Sequence, residues 1–257
     1  MKQRLENKIA VVTGIGAGIG RECGMMFARH GATVIGIDMN PKSAEAARVA
    51  AAEEGLTIEC VAPVDLTKPD QVQSTMDEIG SKHGRIDVLL NAAAIAPPMA
   101  RLSEMDYRSQ WIVTMVGEVD IVFLACKAAW PYMVASGKSS IINFASVSAF
   151  RASMALGLGA HCAGKAAVLA LTRQLAQEGG PSIRANAIAP GMVQTAATTE
   201  DEGVADPAYR KNLLARYPMK RLGVPADIAW AAVFLASDES SWVTGANFPI
   251  DGGVSAV

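Results

Sequence analysis

The sequence has little of what metal sites and disulfide frames are built from. Its four cysteines, Cys23, Cys60, Cys126 and Cys162, lie far apart and show no CxxC or zinc spacing. They read as small buried apolar residues, and no metal site is expected. Neither sign of charge is in excess: 23 basic against 25 acidic residues leave a net charge of −2. That excludes the basic footprint of a nucleic-acid binder. Long apolar runs are missing too, since no stretch approaches the ~18 uninterrupted apolar residues that a membrane span needs. The segment from Met1 to Lys8 is polar and has no small-residue cleavage site, so no signal peptide is read and a cytoplasmic location is expected. What is present is material for a large core: 257 residues, 51% of them hydrophobic and 19% charged, exclude a disordered chain.

Strand and helix signals alternate from end to end. The apolar run Ile9-Ala10-Val11-Val12-Thr13 stops at glycine, residues 21–30 have helical spacing with Cys23, Met26 and Phe27 on one side, and 33–37 is again strand-like. Helices are expected at 42–54, 69–83, 104–134, 160–178 and 225–236, and strands at 57–62, 86–90, 139–145, 183–188 and 246–250. Short runs buried on both faces, with helices between them, describe a parallel sheet. The fold class is therefore α/β, a single doubly wound domain of Rossmann type over residues 1–257. Residues 192–217 break the rhythm with scattered Thr, Glu and Asp and with Pro207, just ahead of Pro218. An irregular stretch of this length is usually a functional loop, and it leaves the carboxyl end of a strand, where such sheets bind ligands. It is read as a substrate lid.

Four glycines, Gly14, Gly16, Gly18 and Gly20, stand between the first strand and the first helix. Glycine lets the backbone approach a pyrophosphate, whose charge is then met by the helix N-terminus. The second strand ends at Asp38, 24 positions after Gly14. A carboxylate there accepts hydrogen bonds from the ribose hydroxyls of NAD and repels the 2′-phosphate of NADP. Met39, Asn40 and Pro41 supply no compensating cation, so NAD is the expected cofactor.

These residues, with several later ones, carry a resemblance to the short-chain dehydrogenases/reductases of the classical type over nearly the whole chain. Thr13-Gly14-Ile15-Gly16-Ala17-Gly18-Ile19-Gly20 resembles their cofactor turn, which implies that Gly14, Gly18, Ile19 and Gly20 line the pyrophosphate. The resemblance further implies that Asp65, beside Leu66, meets the adenine. Asn91-Ala92-Ala93-Ala94 is similar to their Asn-Asn-Ala-Gly stretch, with Ala94 where glycine is usual. Pro190 and Gly191 match the segment that holds the nicotinamide, with the Val193 backbone and the Thr195 hydroxyl on its carboxamide. Arg221 to Pro225, Thr244-Gly245 and Asp251-Gly252-Gly253 are late signatures of the same family.

The family works with Ser, Tyr, Lys and a helix Asn, where Lys lowers the Tyr pKa so that phenolate acts as base. Here Ser146 follows Ile141-Ile142-Asn143-Phe144-Ala145, and Lys165 lies in a matching helix. Four residues before Lys165 stands His161, where the family has Tyr. The helix Asn falls on Glu118 when aligned backward from Phe123-Leu124, or on Thr114 when aligned forward from Tyr107. Glu118 is preferred, because the segment to Met133 then matches without a gap. Imidazole does acid–base chemistry without pKa depression, its reference value being ~6.5. Ser146, His161, Lys165 and Glu118 are therefore the candidate catalytic residues, with Lys165 also on the ribose hydroxyls. Drift or core packing are the rival readings of His161.

Weaker candidates complete the set. Tyr209 and Tyr217 offer lid phenols, with ordinary packing as the rival. Met99, Met154 and Met192 either line an apolar pocket or fill core. His30 and His83 precede glycines at helix ends and read as C-terminal capping residues. The leading function is an NAD-dependent oxidoreductase acting on a small or medium apolar secondary alcohol or ketone. The alternatives are elimination, hydration, isomerisation or group transfer on the same fold with His161 and Glu118, or a silent NAD(H)-binding protein. A small-molecule substrate is the expected partner. The apolar positions Val119, Val122, Phe123 and Cys126, and Ala167, Leu171 and Leu175, match surfaces that build a tetramer in the similar family. A homotetramer is expected.

Overall fold

A computed structural model describes residues 3–95, 99–152, 157–199 and 206–256. Its strands are β1 (Ile9–Thr13), β2 (Thr33–Ile37), β3 (Ile58–Val61), β4 (Val88–Asn91), β5 (Ser139–Phe144), β6 (Ile183–Pro190) and β7 (Asn247–Ile250). They pair in parallel in the order β3-β2-β1-β4-β5-β6-β7. The helices are α1 (Gly18–Arg29), α2 (Pro41–Glu53), α3 (Pro69–His83), α4 (residues 107–136), α5 (Gly159–Gly179), α6 (Ala196–Thr199), α7 (Pro207–Ala215) and α8 (Pro225–Ala236). Successive strand side chains point to opposite faces. Val12, Leu90 and Ile142 thus pack with Phe27 of α1, Ala47 of α2 and Ala232 of α8 on one face. Val11, Leu89 and Ile141 pack with Met76 of α3, Cys126 of α4 and Val168 of α5 on the other. With both faces covered, the central strands are apolar runs rather than alternating ones.

Local signals set the helix ends. Asn40 caps α2 by accepting the Lys42 and Ser43 amides at 3.0 and 3.3 Å. The helix α3 ends at His83, before Gly84 in the left-handed region, as the sequence implies. His30 ends α1 and packs edge-on against Trp230 of α8, with ring centroids 5.6 Å apart. Cys23 and Cys126 are core residues, and burial pushes the Cys126 thiol up to about 12. Cys60 and Cys162 are half-buried.

Two expectations change. Residues 192–217 are not an irregular loop, since α6 and α7 lie within them. Pro207 starts α7 rather than breaking it, because the first turn of a helix has no use for the missing N–H, and Asp206 caps it through Ala208 N. Residues 200–205, Met154 and Val257 lie outside the described residues. Part of the apolar stripes also faces the sheet of the same chain. Val122, Cys126 and Leu175 are buried against it, which leaves Phe123 as the exposed large side chain of the set. Among the described residues, no helix is long and apolar enough to cross a membrane.

A buried polar chain staples β4, β5 and α5. Asn91 Nδ2 donates to Asn143 Oδ1 at 2.8 Å, Asn143 Nδ2 to Thr172 Oγ1 at 2.9 Å, and Thr172 Oγ1 to Val168 O at 2.7 Å. Removing the middle member strands groups on both sides where no water reaches. Asn143→Ala should cost about 2 kcal/mol, read as a lower urea midpoint at unchanged slope.

Candidate active site

The strand order reverses between β1 and β4, and the chain leaving their carboxyl ends forms the cleft. At Gly14 φ is +70°, and a Cβ there would lie 2.8 Å from Ala93 N, so the turn needs glycine on both counts. Thr13 Oγ1 holds the facing segment by accepting Ala92 N and Ala93 N at 3.1 and 3.2 Å. The Asp38 carboxylate is fixed across the turn, with Oδ2 accepting Gly16 N at 2.8 Å and Oδ1 accepting Asn40 N at 2.9 Å. A cavity of about 220 Å³ opens here, lined by Gly14, Asp38, Leu66, Thr67 and Ala92 to Ile95 among others. Gly18, Ile19 and Gly20 form the first turn of α1, which holds no acidic residue to offset its positive end. Bare backbone, a helix N-terminus and a fixed carboxylate on one cavity are a donor and acceptor set that fits a dinucleotide.

The other cofactor candidates are placed less uniformly. Asp65 lies beside the cavity rather than on its wall. Its Oδ1 accepts Thr67 Oγ1 at 2.7 Å and Thr67 N at 2.9 Å, which holds the carboxyl below its usual range. Asn91 turns its side chain into the interior, where it staples the sheet. Gly191 N donates to Ile250 O at 3.1 Å, anchoring the Pro190–Gly191 segment to β7. Val193 pairs with Gly223, and the Thr195 methyl would stand 3.4 Å from a Cβ at Gly18. Thr198 Oγ1 accepts Thr195 N at 2.8 Å and donates to Val193 O at 2.7 Å. Thr198 and Thr67 are organising residues that the sequence reading passed over; each forms a short-range side-chain turn with Thr195 or Asp65, and that spacing was the available signal.

At the opposite end of the cleft, α5 presents His161 and Lys165 one turn apart. Lys165 is buried, and Nζ donates to Phe144 O at 3.2 Å, at the end of β5. Two residues on, Ser146 Oγ accepts Ser148 N at 3.1 Å and caps a single tight turn. Facing them is the middle of α4, where a π-helical stretch, Val116–Asp120, brings Glu118 inward. Such stretches widen a helix locally and are common at functional sites. Glu118 is 2% exposed, with Oε1 2.6 Å from His161 Nδ1 and Oε2 without a partner. The structure therefore brings Glu118 to His161. Thr114, its rival, is buried and donates its hydroxyl to Gln110 O at 2.7 Å on its own helix. Tyr217 is not a spare lid phenol: its oxygen accepts Met192 N at 3.0 Å, and burial raises its pKa. Tyr209 and Met99 are exposed, and Met192 packs beside Tyr217. Among the described residues, no group of three or more His, Cys, Asp and Glu is placed to hold a metal.

Burial lowers the Lys165 pKa, while the Glu118 charge raises it. Between that lowered value and the ordinary 10.5 the unfolded chain binds the proton more readily, so stability rises with pH across this window. Glu118→Gln removes the opposing charge and leaves burial unopposed. The rise should then begin at lower pH than in the parent, and should be missing in Lys165→Met. Urea midpoints between neutral and alkaline pH check both.

Three comparisons bear on this site. Residues 14–255 match the family described as Enoyl-(Acyl carrier protein) reductase. The chain is 36% identical to a 3-oxoacyl-[acyl-carrier-protein] reductase of Thermotoga maritima, covering 98% of this chain and 99% of that one. It is 34% identical to a 2-(S)-hydroxypropyl-CoM dehydrogenase of Xanthobacter autotrophicus over the full length of both. The crystal structure of a gluconate 5-dehydrogenase from Burkholderia cenocepacia, in complex with NADP and tartrate, superposes with a TM-score of 0.91 at 30% identity. That match covers 100% of this chain and 98% of the other.

Proposed function

The chain belongs to the short-chain dehydrogenase/reductase family and is an oxidoreductase, and from that premise we propose that it is an NAD-dependent enzyme for a small or medium apolar secondary alcohol or ketone, with His161 carrying the proton. His161 stands where the family has Tyr. The observation that carries the reading is the 2.6 Å contact between Glu118 Oε1 and His161 Nδ1, one helical turn from Lys165. A base oriented from behind by a buried carboxylate is the recurring design of imidazole catalysis.

NAD, when bound, supplies the hydride acceptor or donor at its nicotinamide ring. The chain's own residues do the rest. Gly14, Gly18, Ile19 and Gly20 would receive the pyrophosphate, Asp38 the ribose hydroxyls, and Leu66 with Asp65 the adenine end. Pro190 and Gly191 would shape the nicotinamide end, with Asn91 bracing the strand beneath through Asn143, and Val193 and Thr195 would meet the carboxamide. Ser146 holds the substrate oxygen, and Lys165 sets positive charge beside it and reaches the other ribose. His161 exchanges the hydroxyl proton. NADP occupies the Burkholderia structure; for this chain the selectivity rests on Asp38, whose like charge opposes a 2′-phosphate. The carboxylate–imidazole pair also suits a second reading, proton transfer without net oxidation, and NADH absorbance with a panel of secondary alcohols separates the two.

NAD(H) should bind at least ~10²-fold more tightly than NADP(H), since a like-charge juxtaposition costs several kcal/mol. Equal affinities by fluorescence titration would overturn the assignment to Asp38. His161→Ala should lose about 10²–10⁴-fold in turnover, the usual yield of general acid–base catalysis, while NAD affinity survives. An Ala variant with full activity would remove His161 from the mechanism. We also propose a homotetramer, supported by the half-exposed Phe123 on α4; a monomer in sedimentation at micromolar concentration overturns it.

A further inference from the structure

Glu118 sits in a place that disfavours a carboxylate. A charged group 2% exposed between two helices has to be paired, and only Oε1 is. What makes room for the other oxygen is a gap in α5. A Cβ at Gly164 would lie 2.6 Å from Glu118 Oε2 and 3.4 Å from Glu118 Cβ, with Met115 Cε at 3.5 Å. The first distance is well inside van der Waals contact, so any other residue at 164 forces Oε2, and with it the carboxylate, to shift from its present place. The cost of keeping glycine there is plain from its surroundings. It interrupts a 21-residue helix whose neighbouring positions are Ala163, Ala166 and Ala167, and glycine is the poorest helix former after proline. The α4 side is pinned as well: Ile95 N donates to Gly117 O at 3.0 Å inside the π-helical stretch that carries Glu118. Neither helix can give way without breaking something else.

Which ring nitrogen of a histidine holds the proton is set by the hydrogen bond that the other makes. A carboxylate accepts only, so the nitrogen facing it donates. We propose that Gly164 is a positioning residue: by withholding a side chain it admits the Glu118 carboxylate to the His161 ring, and so fixes the proton on Nδ1 and presents Nε2 as the atom that exchanges a proton with substrate. This rests on the reading in which His161 carries the proton. In the oxidative direction the substrate C–H bond gives its hydride to NAD as the carbonyl forms, the O–H bond breaks, an Nε2–H bond forms, and the ring becomes an imidazolium beside the carboxylate. Glu118 on α4 and Lys165 on α5 are the charged groups of this cluster, and Ser146 lies two residues after Phe144, whose carbonyl Lys165 binds.

The test needs no substrate for its first arm. The chain has three histidines, His30, His83 and His161, so nitrogen-15 spectra of labelled protein are assigned with one His161→Gln control. On the alkaline plateau of the titration the parent should show His161 protonated at Nδ1. Gly164→Ala and Glu118→Ala should each move the proton to Nε2, the ordinary tautomer in water. The second arm uses whichever secondary alcohol the enzyme oxidises. Gly164→Ala should lower kcat/KM by about 10²-fold or more, the lower end of a general-base effect. In the Glu118→Ala background the same Gly164→Ala change should cost nothing further, because the clash is gone. That double variant also keeps the test open if Gly164→Ala alone folds poorly. A parent ring protonated at Nε2, an unchanged tautomer in Gly164→Ala, or losses that multiply in the double variant overturn the proposal. Full activity of His161→Ala overturns the proton-carrier reading instead, and leaves the tautomer result standing as a structural fact.

Discussion

Seven parallel strands share one polarity, so every loop that leaves a carboxyl end converges on one rim of the sheet. Both faces of that sheet are covered, and its backbone groups are spent on the ladders. The rim is where polar chemistry is possible, and the site is built there from pieces far apart in sequence. Gly14 follows β1, Asp38 follows β2, Ala92 to Ala94 follow β4, Ser146 follows β5 and Val193 follows β6. The polar chain through Asn91, Asn143 and Thr172 holds two of these strands and α5 at fixed spacing just beneath the rim. A low-dielectric interior strengthens the bonds that are made, while Asn91 Oδ1 at the end of the chain has no partner. Geometry at the rim is thereby inherited from the core.

The two ends of the cleft handle charge in opposite ways. At the cofactor end one carboxylate, Asp38, is held by two backbone amides, and a helix start without acidic residues leaves a positive field for an anion. On the proposed reading, selectivity there rests on the fixed negative charge of Asp38 opposing a second phosphate. At the proton end the charges compensate one another. Burial alone would drive Lys165 towards its neutral form, and Glu118 opposes that. Glu118 in turn is buried and takes its hydrogen bond from His161. The charge of Glu118 thus bears on Lys165, so a change at 118 is felt at 165.

The fold was legible because periodicity and glycine placement are local signals. The helices 69–83 and 225–236 and the strands 9–13 and 33–37 fall where the apolar spacing puts them. The sequence named candidate positions for the site but not the directions of their side chains. Asn91 reads as a cofactor residue just past a strand at 86–90, yet it closes β4 and its side chain points inward, which only the packing of β4 on β5 decides. Tyr217 sits in the suspected lid segment, yet its phenol is occupied by the Met192 amide, a contact across 25 positions of sequence. The scattered polar residues of 192–217 concealed α6 and α7, because Pro207 marks a helix start as readily as a loop. Val122, Cys126 and Leu175 show the limit of reading an apolar stripe. Hydrophobic spacing says that a face is buried, not what buries it.

Gly164 was invisible in the sequence for a related reason. A glycine in a helical pattern costs helix propensity wherever it occurs, and propensity alone cannot tell a defect from a fit. The meaning lies in a neighbour 46 positions earlier on another helix, whose buried oxygen fills the vacant volume. Here an unfavourable local choice and an unfavourable burial become compatible only together. An alanine at 164 improves the helix and expels the carboxylate; an alanine at 118 removes the buried charge and leaves the histidine without its anchor. Stability by either local rule favours a change that the site does not survive, and such a conflict between local and global preference is expected where a protein keeps its chemistry.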